Sequence, residues 1–324
     1  MRRSGVLPKD ERGVALVMVI WVLALLSLMA ASFLASARIE LRRTANLGER
    51  AGAEALAEAG VYMALGRLIA EQASTRPQHW TEQMPGGSVA ITLSDERGKI
   101  DLNLAEPDLL ASLFESQGVP TRNAKALAAA VADFRDADRS REAEGAEDPD
   151  YPSGSGGAKD GRFESIDELL QVKGMTPAIH ARLAPLITVH TGSPTIDPLL
   201  AEAGVLEALP NIDRAELDRF LALRQKLAPV LNAPLAIDQA DRPAVGQRRA
   251  KAYLDLQNAI PRRNGVERYY TEELEAQPAF AISAEASTRA GARFRREAVV
   301  RLPEGSEQPF ELLEWRRPLA ADGY

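Results

Sequence analysis

From Val14 to Ala37 about 24 residues pass without one charged side chain, and the chain has no second stretch of this kind. As a helix rising about 1.5 Å per residue, that run spans roughly 36 Å, enough to cross the ~30 Å hydrocarbon core of a bilayer. The residues before it include Arg2, Arg3, Lys9 and Arg12. An excess of Lys and Arg beside an apolar span holds that end in the cytoplasm. Everything from Arg38 onward is therefore expected on the far side of the membrane.

Three readings compete for this segment: a signal-anchor helix, a secretory signal peptide, or a leader of the type IV pilin kind. Ala35-Ser36-Ala37 has the small-x-small pattern of a signal-peptidase site, but the apolar core is longer than the 7–15 residues usual for signal peptides. The pilin-like reading rests on a short basic leader ending in Gly13, followed at once by Val14-Ala15-Leu16-Val17. Arg38 to Glu71 then has almost no helix breakers and is rich in strong helix formers. The apolar helix is expected to run on as one rod into an amphipathic half. Ile39, Ala53, Leu56, Ala57, Gly60, Val61, Ala64, Leu65, Leu68 and Ile69 recur there at helical spacing. Pilin-like subunits carry Glu at the fifth position after the cut, where it pairs with the amino terminus of a neighbouring subunit, because a buried charge is tolerated only when partnered. Counting from Val14, that position is Met18. A subunit that need not dock onto an earlier one can lack the pairing; an ordinary apolar anchor would lack it too.

A chain of 324 residues allows two or three domains. The net charge is −7, and becomes −9 once residues 1–13 with their four basic and two acidic side chains are removed. That balance disfavours a nucleic-acid binder, which needs a basic face. There is no cysteine, which rules out thiol catalysis and thiolate-bound metals. His79, His180 and His190 are scattered without the spacing of a zinc hydrolase. No nucleophile elbow is present either, so the chain reads as no enzyme.

Along the chain, Ser88–Leu93 alternates as a strand, Asp95-Glu96-Arg97-Gly98 is a turn, and Ile100 with Leu102 form a second short strand. Helices are expected over 108–117 and 121–135, followed by a polar loop at 136–162. Residues 163–189 read as two short helices joined at Val172-Lys173-Gly174-Met175, and 199–225 as two more joined at Leu209-Pro210-Asn211-Ile212. Pro and charge fill 228–248, and a further helix covers about 247–258. Ala279–Glu285, Arg293–Leu302 and Phe310–Arg316 are three alternating strands that need a partner to bury their apolar face. The long N-terminal helix is the candidate. The fold class is therefore α+β: a long N-terminal helix on a small antiparallel sheet, with a large all-helical domain inserted between the two β portions. The expected organisation is a leader at 1–13, a transmembrane helix at 14–37, an α+β domain from 38–105 and 262–324, and the helical insert at 106–261.

These residues resemble a family, the K-type minor pseudopilins of type II secretion systems (general secretion pathway protein K). Four pieces carry the likeness, in order. They are Arg12-Gly13-Val14-Ala15-Leu16 without the fifth-position Glu; the run Asp95 to Asn103, similar to a D-E-x-G-K-I-N-L-N segment; Asp133-Phe134-Arg135-Asp136-Ala137-Asp138 with Gly145-Ala146-Glu147-Asp148; and Phe163 through Thr176. Thr195–Ala201 is a degenerate version of the family's I-N-V-N-T-A segment. The resemblance implies cleavage by a prepilin peptidase between Gly13 and Val14, N-methylation, insertion in the inner membrane, and a bulk in the periplasm. It also implies minor pseudopilins I and J as partners in a complex that starts and caps the pseudopilus tip, driving export of folded proteins.

The acidic loop is the candidate metal site. Asp136, Asp138, Glu144, Glu147, Asp148 and Asp150 offer many hard oxygens in a short span, as Ca²⁺ prefers, although no EF-hand pattern is present. Composition alone leaves a solvated acidic loop as the simpler reading. The resemblance, in which this helical domain binds calcium, implies Ca²⁺. The Val172–Met175 turn is similar to a helix–hairpin–helix, whose DNA-binding versions approach phosphate through the Gly turn. Here Glu164, Asp167 and Glu168 precede it and Lys173 is nearly its only cation, so a packing module is the plainer reading. A pilin-like DNA-uptake protein is the alternative function.

Overall fold

The computed structural model describes residues 11–70, 78–152, 156–231, 242–271, 278–303 and 308–318. Most of the expected leader (1–10) and the middle of the Pro- and charge-rich stretch (232–241) lie outside the described residues. In chain order the helices are α1 (Glu11–Ala70), α2 (Pro107–Ser116), α3 (Thr121–Arg135), α4 (Pro177–Leu183), α5 (Ala203–Glu207), α6 (Arg214–Leu231) and α7 (Arg242–Asn258). The strands are β1 (Gln78–Met84), β2 (Gly87–Asp95), β3 (Ile100–Asp101), β4 (Ile187–Thr188), β5 (Ala279–Thr288), β6 (Arg293–Arg301) and β7 (Glu311–Arg316).

The 60 residues of α1 make one rod about 90 Å long. Among the described residues it is the one helix long and apolar enough to cross a membrane. From Ala15 to Gly52 it is exposed, apart from the half-buried Ala37, and burial begins at Ala53. Ala53, Ala57, Val61, Ala64, Leu65 and Leu68 then line one face. Ile39 and Ile69, expected on that face, are 52% and 41% exposed. Ile39 falls short of the sheet-packed segment and Ile69 lies off its stripe.

That stripe packs on a five-stranded sheet of order β1-β2-β5-β6-β7. The two β portions do join into one sheet, through antiparallel pairing of β2 with β5. On the inner face Val89 lies opposite Ala286, Ile91 opposite Ala284 and Leu93 opposite Ile282. The run of alanines on β5 leaves room for the helix to come close. At Gly60 the approach is tight: an added Cβ would sit 2.6 Å from Val89 Cγ1 and 3.1 Å from Ala284 Cβ. Arg296 of β6 is buried against α1, its Nη2 2.5 Å from Glu54 Oε1 and 2.9 Å from Glu58 Oε1. A Gly60→Leu variant should therefore lose about 1–3 kcal/mol by overpacking. A thermal melt no lower than wild type would contradict this packing.

A second hydrophobic core serves the helical unit and contains Leu109, Leu113, Phe114, Leu127, Val131, Phe134, Phe163, Leu169, Leu206 and Phe220. It also takes in Ile100, Leu102 and Ala105 before α2, and Val266, Tyr269 and Tyr270 after α7. The expected insert boundaries at 105/106 and 261/262 thus fall inside this core. Parallel pairing of β3 with β4, Ile100 opposite Ile187, ties in the residues before α2, and a parallel bridge between Ile196 and Tyr270 ties in those after α7.

The Asp95–Asn103 segment is the seam between the two units. Asp95 caps the 3-10 turn Glu96–Gly98 by accepting from Arg97 N at 3.0 Å, and its other oxygen meets Arg97 Nη2 at 2.6 Å. Burial pushes the Asp95 carboxyl up, against the pull of Arg97. Gly98 has no room for a Cβ, which would come within 2.6–2.7 Å of the Leu200–Ala201 backbone. Asp101 accepts from Asn103 N at 2.8 Å, Thr191 Oγ1 at 2.8 Å and Gly192 N at 2.9 Å. The Asn103 amide closes a pair of hydrogen bonds with the Phe163 backbone, at 2.7 and 3.0 Å. The head also rests on β7: Ser165 Oγ donates to Glu314 Oε1 at 3.1 Å, and His190 Nε2 lies 3.4 Å from Glu314 Oε2.

Two further expectations changed. β1 was not anticipated, because in Gln78–Met84 only Trp80 and Met84 are apolar and the segment reads as weak strand. The first arms of the helical pairs are shorter than expected. Ile166–Gln171 is a 3-10 turn and α5 has five residues.

Candidate metal centre

Helix α3 carries Asp133 in its last turn and stops at Arg135, whose guanidinium donates to the carbonyls of Leu102 and, at 2.8 Å, Ala105. This pins the end of α3 to the seam. The chain then folds back in a series of side-chain-to-backbone turns. Asp136 Oδ1 accepts from Asp138 N at 3.3 Å, Asp138 Oδ1 from Ser140 N at 2.6 Å, and Asp133 Oδ1 from Glu142 N at 3.0 Å. Ala146 is buried and draws Glu147 in with it. One carboxylate oxygen from each of Asp136, Asp138 and Glu147 ends within 4.8 Å of the others.

Arg139 reaches Asp160 at 4.0 Å and Arg135 acts on Asp136 through space, two cations beside five carboxylates. Asp133 Oδ2, Glu147 Oε1 and Asp160 Oδ1 are buried with no hydrogen-bond partner among the described residues. Orphaned buried oxygens are rare, because each carries an uncompensated desolvation cost. Desolvation, and then the charge of Asp138, raises the Asp136 carboxyl. Desolvation, and then the charges of Asp133 and Asp160, raises Glu147. Glu147 is buried, Asp136 half-buried and Asp138 exposed, and such mutually repelling carboxylates are a donor set for a hard cation. Ca²⁺ fits best, since it takes six to eight oxygens in irregular geometry.

Of the six expected ligands, the structure brings together Asp136, Asp138 and Glu147. The other three are engaged elsewhere or turned away. Asp148 Oδ1 accepts from Ala158 N at 3.1 Å, closing the loop. Asp150 accepts from Glu147 N at 3.2 Å and pairs with Arg141 at 3.3 Å and Lys173 at 3.6 Å. Glu144 is exposed, with φ at +69°. Asp133, three residues before Asp136 at the end of α3, is fully buried. Asp160 was missed; it faces the group from beyond the Gly/Ser stretch, and no spacing in the sequence signals it.

The raised pKa values fix a sign. An acid with a higher pKa folded than unfolded binds more protons in the folded state, so its effect on stability worsens as pH rises through the interval between the two values. In EDTA, Glu147→Gln should therefore melt higher than wild type near pH 7, and the gain should fade toward about pH 4. A variant that melts lower at neutral pH in EDTA would contradict the electrostatic reading.

The comparisons with known proteins bear on the chain that carries this site. A family described as type II secretion system (T2SS), protein K, matches residues 92–192, which include the seam, the acidic cluster and α4. The chain is similar to type II secretion system protein K. A putative protein K of Escherichia coli (strain K12) is 29% identical over 205 residues, covering 56% of this chain and 63% of that protein. Protein K of Klebsiella pneumoniae is 28% identical over 204 residues, covering 55% and 62%. Protein K of Pseudomonas aeruginosa is 25% identical over 244 residues, covering 67% and 73%. The chain thus spans a little under two thirds of the length of the first two relatives. A chain in the crystal structure of the GspK-GspI-GspJ complex from the enterotoxigenic Escherichia coli type 2 secretion system aligns at 20% identity and TM-score 0.49, covering 87% of this chain and 99% of that one. The resemblance to protein K expected from the motifs is borne out. The nucleic-acid alternative is not. Lys173, the cation of the Val172–Met175 turn, pairs with Asp150, and Glu164, Asp167 and Glu168 precede the turn, a charge pattern unsuited to phosphate.

Proposed function

We propose that this chain is a minor pseudopilin of a type II secretion system. It is a single-pass inner-membrane subunit with its amino end in the cytoplasm and its head in the periplasm. With minor pseudopilins I and J it forms the tip complex that starts and caps the pseudopilus and so drives export of folded proteins. The similarity to protein K supports this reading, and one structural observation carries it: α1 leaves its charge-free half uncovered and packs its second half on a sheet that bears a wide helical head. Such a head does not fit the close stacking of a fibre shaft but sits at an end. Met18 in place of the usual acid suits a subunit with no neighbour above it.

Processing by prepilin peptidase falls between Gly13 and Val14 in this reading. Mass spectrometry of the protein from a host with that peptidase should find an N-methylated Val14 as the first residue. A first residue at Arg38, the outcome of signal-peptidase cleavage, or an uncut chain, would overturn it.

The head acts by assembly rather than turnover, and calcium orders its acidic loop. Asp136, Asp138 and Glu147 hold the ion, with Asp133 and Asp160 supplying charge around it. A ligand that binds only the folded state stabilises by about 2.7 kcal/mol at a hundredfold excess over its dissociation constant. Calcium should therefore reverse the neutral-pH ranking of wild type and Glu147→Gln. A flat calorimetric titration of wild type would remove the calcium reading and leave the tip-complex reading standing.

A further inference from the structure

The sheet has two edges, and they are treated differently. β7 carries the charges of Glu311, Glu314 and Arg316, its pairing with β6 is interrupted by a bulge at Val299/Val300, and Ser165 and His190 of the head bear on Glu314. Charge, bulges and cover are the usual means by which an edge strand is kept from pairing further. β1 lacks them. Its seven residues hold one charge, Glu82, and no proline, and they pair with β2 in unbroken register.

The free side of β1 can be read from the ladder. Just before β2, Gly86 O accepts from Arg289 N at 3.0 Å, so the even-numbered residues of β2 bond toward β5 and the odd-numbered ones toward β1. Gln78, Trp80, Glu82 and Met84, opposite those odd residues, exchange hydrogen bonds with β2. His79, Thr81 and Gln83 therefore turn their N–H and C=O groups outward. None of these six backbone groups has a partner among the described residues, and the three side chains are exposed.

A row of alternating donors and acceptors is matched by one kind of ligand, an extended polypeptide that adds as a sixth strand. The side chains say which. On the face against α1, Trp80 and Met84 pack at the margin of the sheet's core. Glu82 stands between them, opposite Val89 and half-buried, and no described cation pairs with it. An incoming antiparallel strand brings its side chains closest at these non-hydrogen-bonded positions, where an opposite charge favours pairing and a like charge opposes it. We propose that the β1 edge receives an extended segment of another polypeptide with the pattern apolar-x-Lys/Arg-x-apolar, its apolar side chains on Met84 and Trp80 and its cation on Glu82. A second copy of this chain does not fit, since its own β1 carries an acid where the cation is needed. Antiparallel pairing of two β1 strands also turns one copy about an axis normal to the sheet and so reverses α1; on the single-pass reading, the two apolar halves would point to opposite sides.

The test uses the full chain in lipid nanodiscs and the fluorescein-labelled peptide Val-Thr-Lys-Thr-Val-Thr, read by fluorescence polarisation. In antiparallel register this peptide lies against Met84 back to His79. Its three Thr N–H groups face β1, and those of Lys and the second Val face away. N-methylation of the three Thr residues should weaken binding at least about tenfold, and N-methylation of Lys and the second Val should cost far less. Replacing the peptide's Lys by Glu should weaken binding to wild type and strengthen binding to Glu82→Lys, each by about two- to fivefold. Thr81→Pro removes an outward N–H that an edge strand can spare, and should abolish binding without lowering the melting temperature. Equal loss from both methylation patterns, a preference for Lys over Glu that persists in Glu82→Lys, or no saturable binding to wild type would overturn the proposal and leave the tip-complex reading standing. These outcomes decide it even where Thr81→Pro melts lower. Disulfide cross-linking of Thr81→Cys chains to one another in detergent, in a chain with no other cysteine, would assign the edge to a second copy and overturn it as well.

Discussion

Asp101→Ala should destabilise the helical unit by about 3–5 kcal/mol, lowering its melting midpoint by on the order of 10 °C. The carboxylate is 2% exposed and receives three donors from two segments: Asn103 N, Thr191 Oγ1 and Gly192 N. Removing it strands those donors in the interior, and each buried unsatisfied group costs about 1–3 kcal/mol. Asp101→Asn keeps the shape and one accepting oxygen, and should lose roughly half as much. Near-UV circular dichroism during heating reads both. If alanine costs no more than asparagine, the three donors find water, and the seam is looser than the geometry implies.

Phe134→Ala should cost a similar 3–5 kcal/mol, the range for emptying a buried aromatic site, and should reach the metal centre as well. Phe134 is 1% exposed and stacks on Phe163 with ring centroids 5.0 Å apart. Phe163 is itself tied to Asn103 of the seam. Its neighbours in sequence, Asp133 and Asp136, stand at the acidic cluster. A hollow under the last turn of α3 should therefore weaken calcium binding together with fold stability. Phe134→Leu, which fills much of the same volume, should recover most of both. Calcium affinity unchanged in Phe134→Ala would show that the loop holds its shape without the helix end.

The sequence was most legible where period and charge speak together. The charge-free run and the Ala/Leu spacing that follows it forecast the rod and nearly all of its buried stripe. Alternation forecast three of the sheet's strands at the C-terminus and its return to Ser88–Leu93. β1 escaped because its contribution to the core is limited to Trp80 and Met84, four positions apart. Its pairing with β2 is made by backbone, and Gln78–Met84 shows little alternation of hydrophobicity. The seam was recognised as a pattern from Asp95 to Asn103, yet its roles were invisible, since Asp101 meets Thr191 and Gly192 some ninety positions later. The metal centre divides along the same line. Asp136 and Asp138 are close in sequence, and the fold keeps them together with Glu147. Asp148 and Asp150 are also close in sequence but turn to Ala158 N and to Glu147 N with Arg141, because local backbone donors compete for short acidic side chains. Asp160 returns from outside the loop, and only three-dimensional folding brings it back.

The rod has an uneven thickness with mechanical consequences. Between the apolar half and the first buried residue, Ala53, α1 places Gly48 and Gly52, and a side chain at either would meet nothing within 4 Å. Glycine weakens a helix interior by roughly 0.5–1 kcal/mol relative to alanine. A column about 90 Å long, pushed at one end and laden at the other, yields first at its slimmest point. Here that point lies just below the sheet. Sideways load on the head is then expected to be taken up as tilt near Gly48 and Gly52, sparing the packing from Ala53 onward.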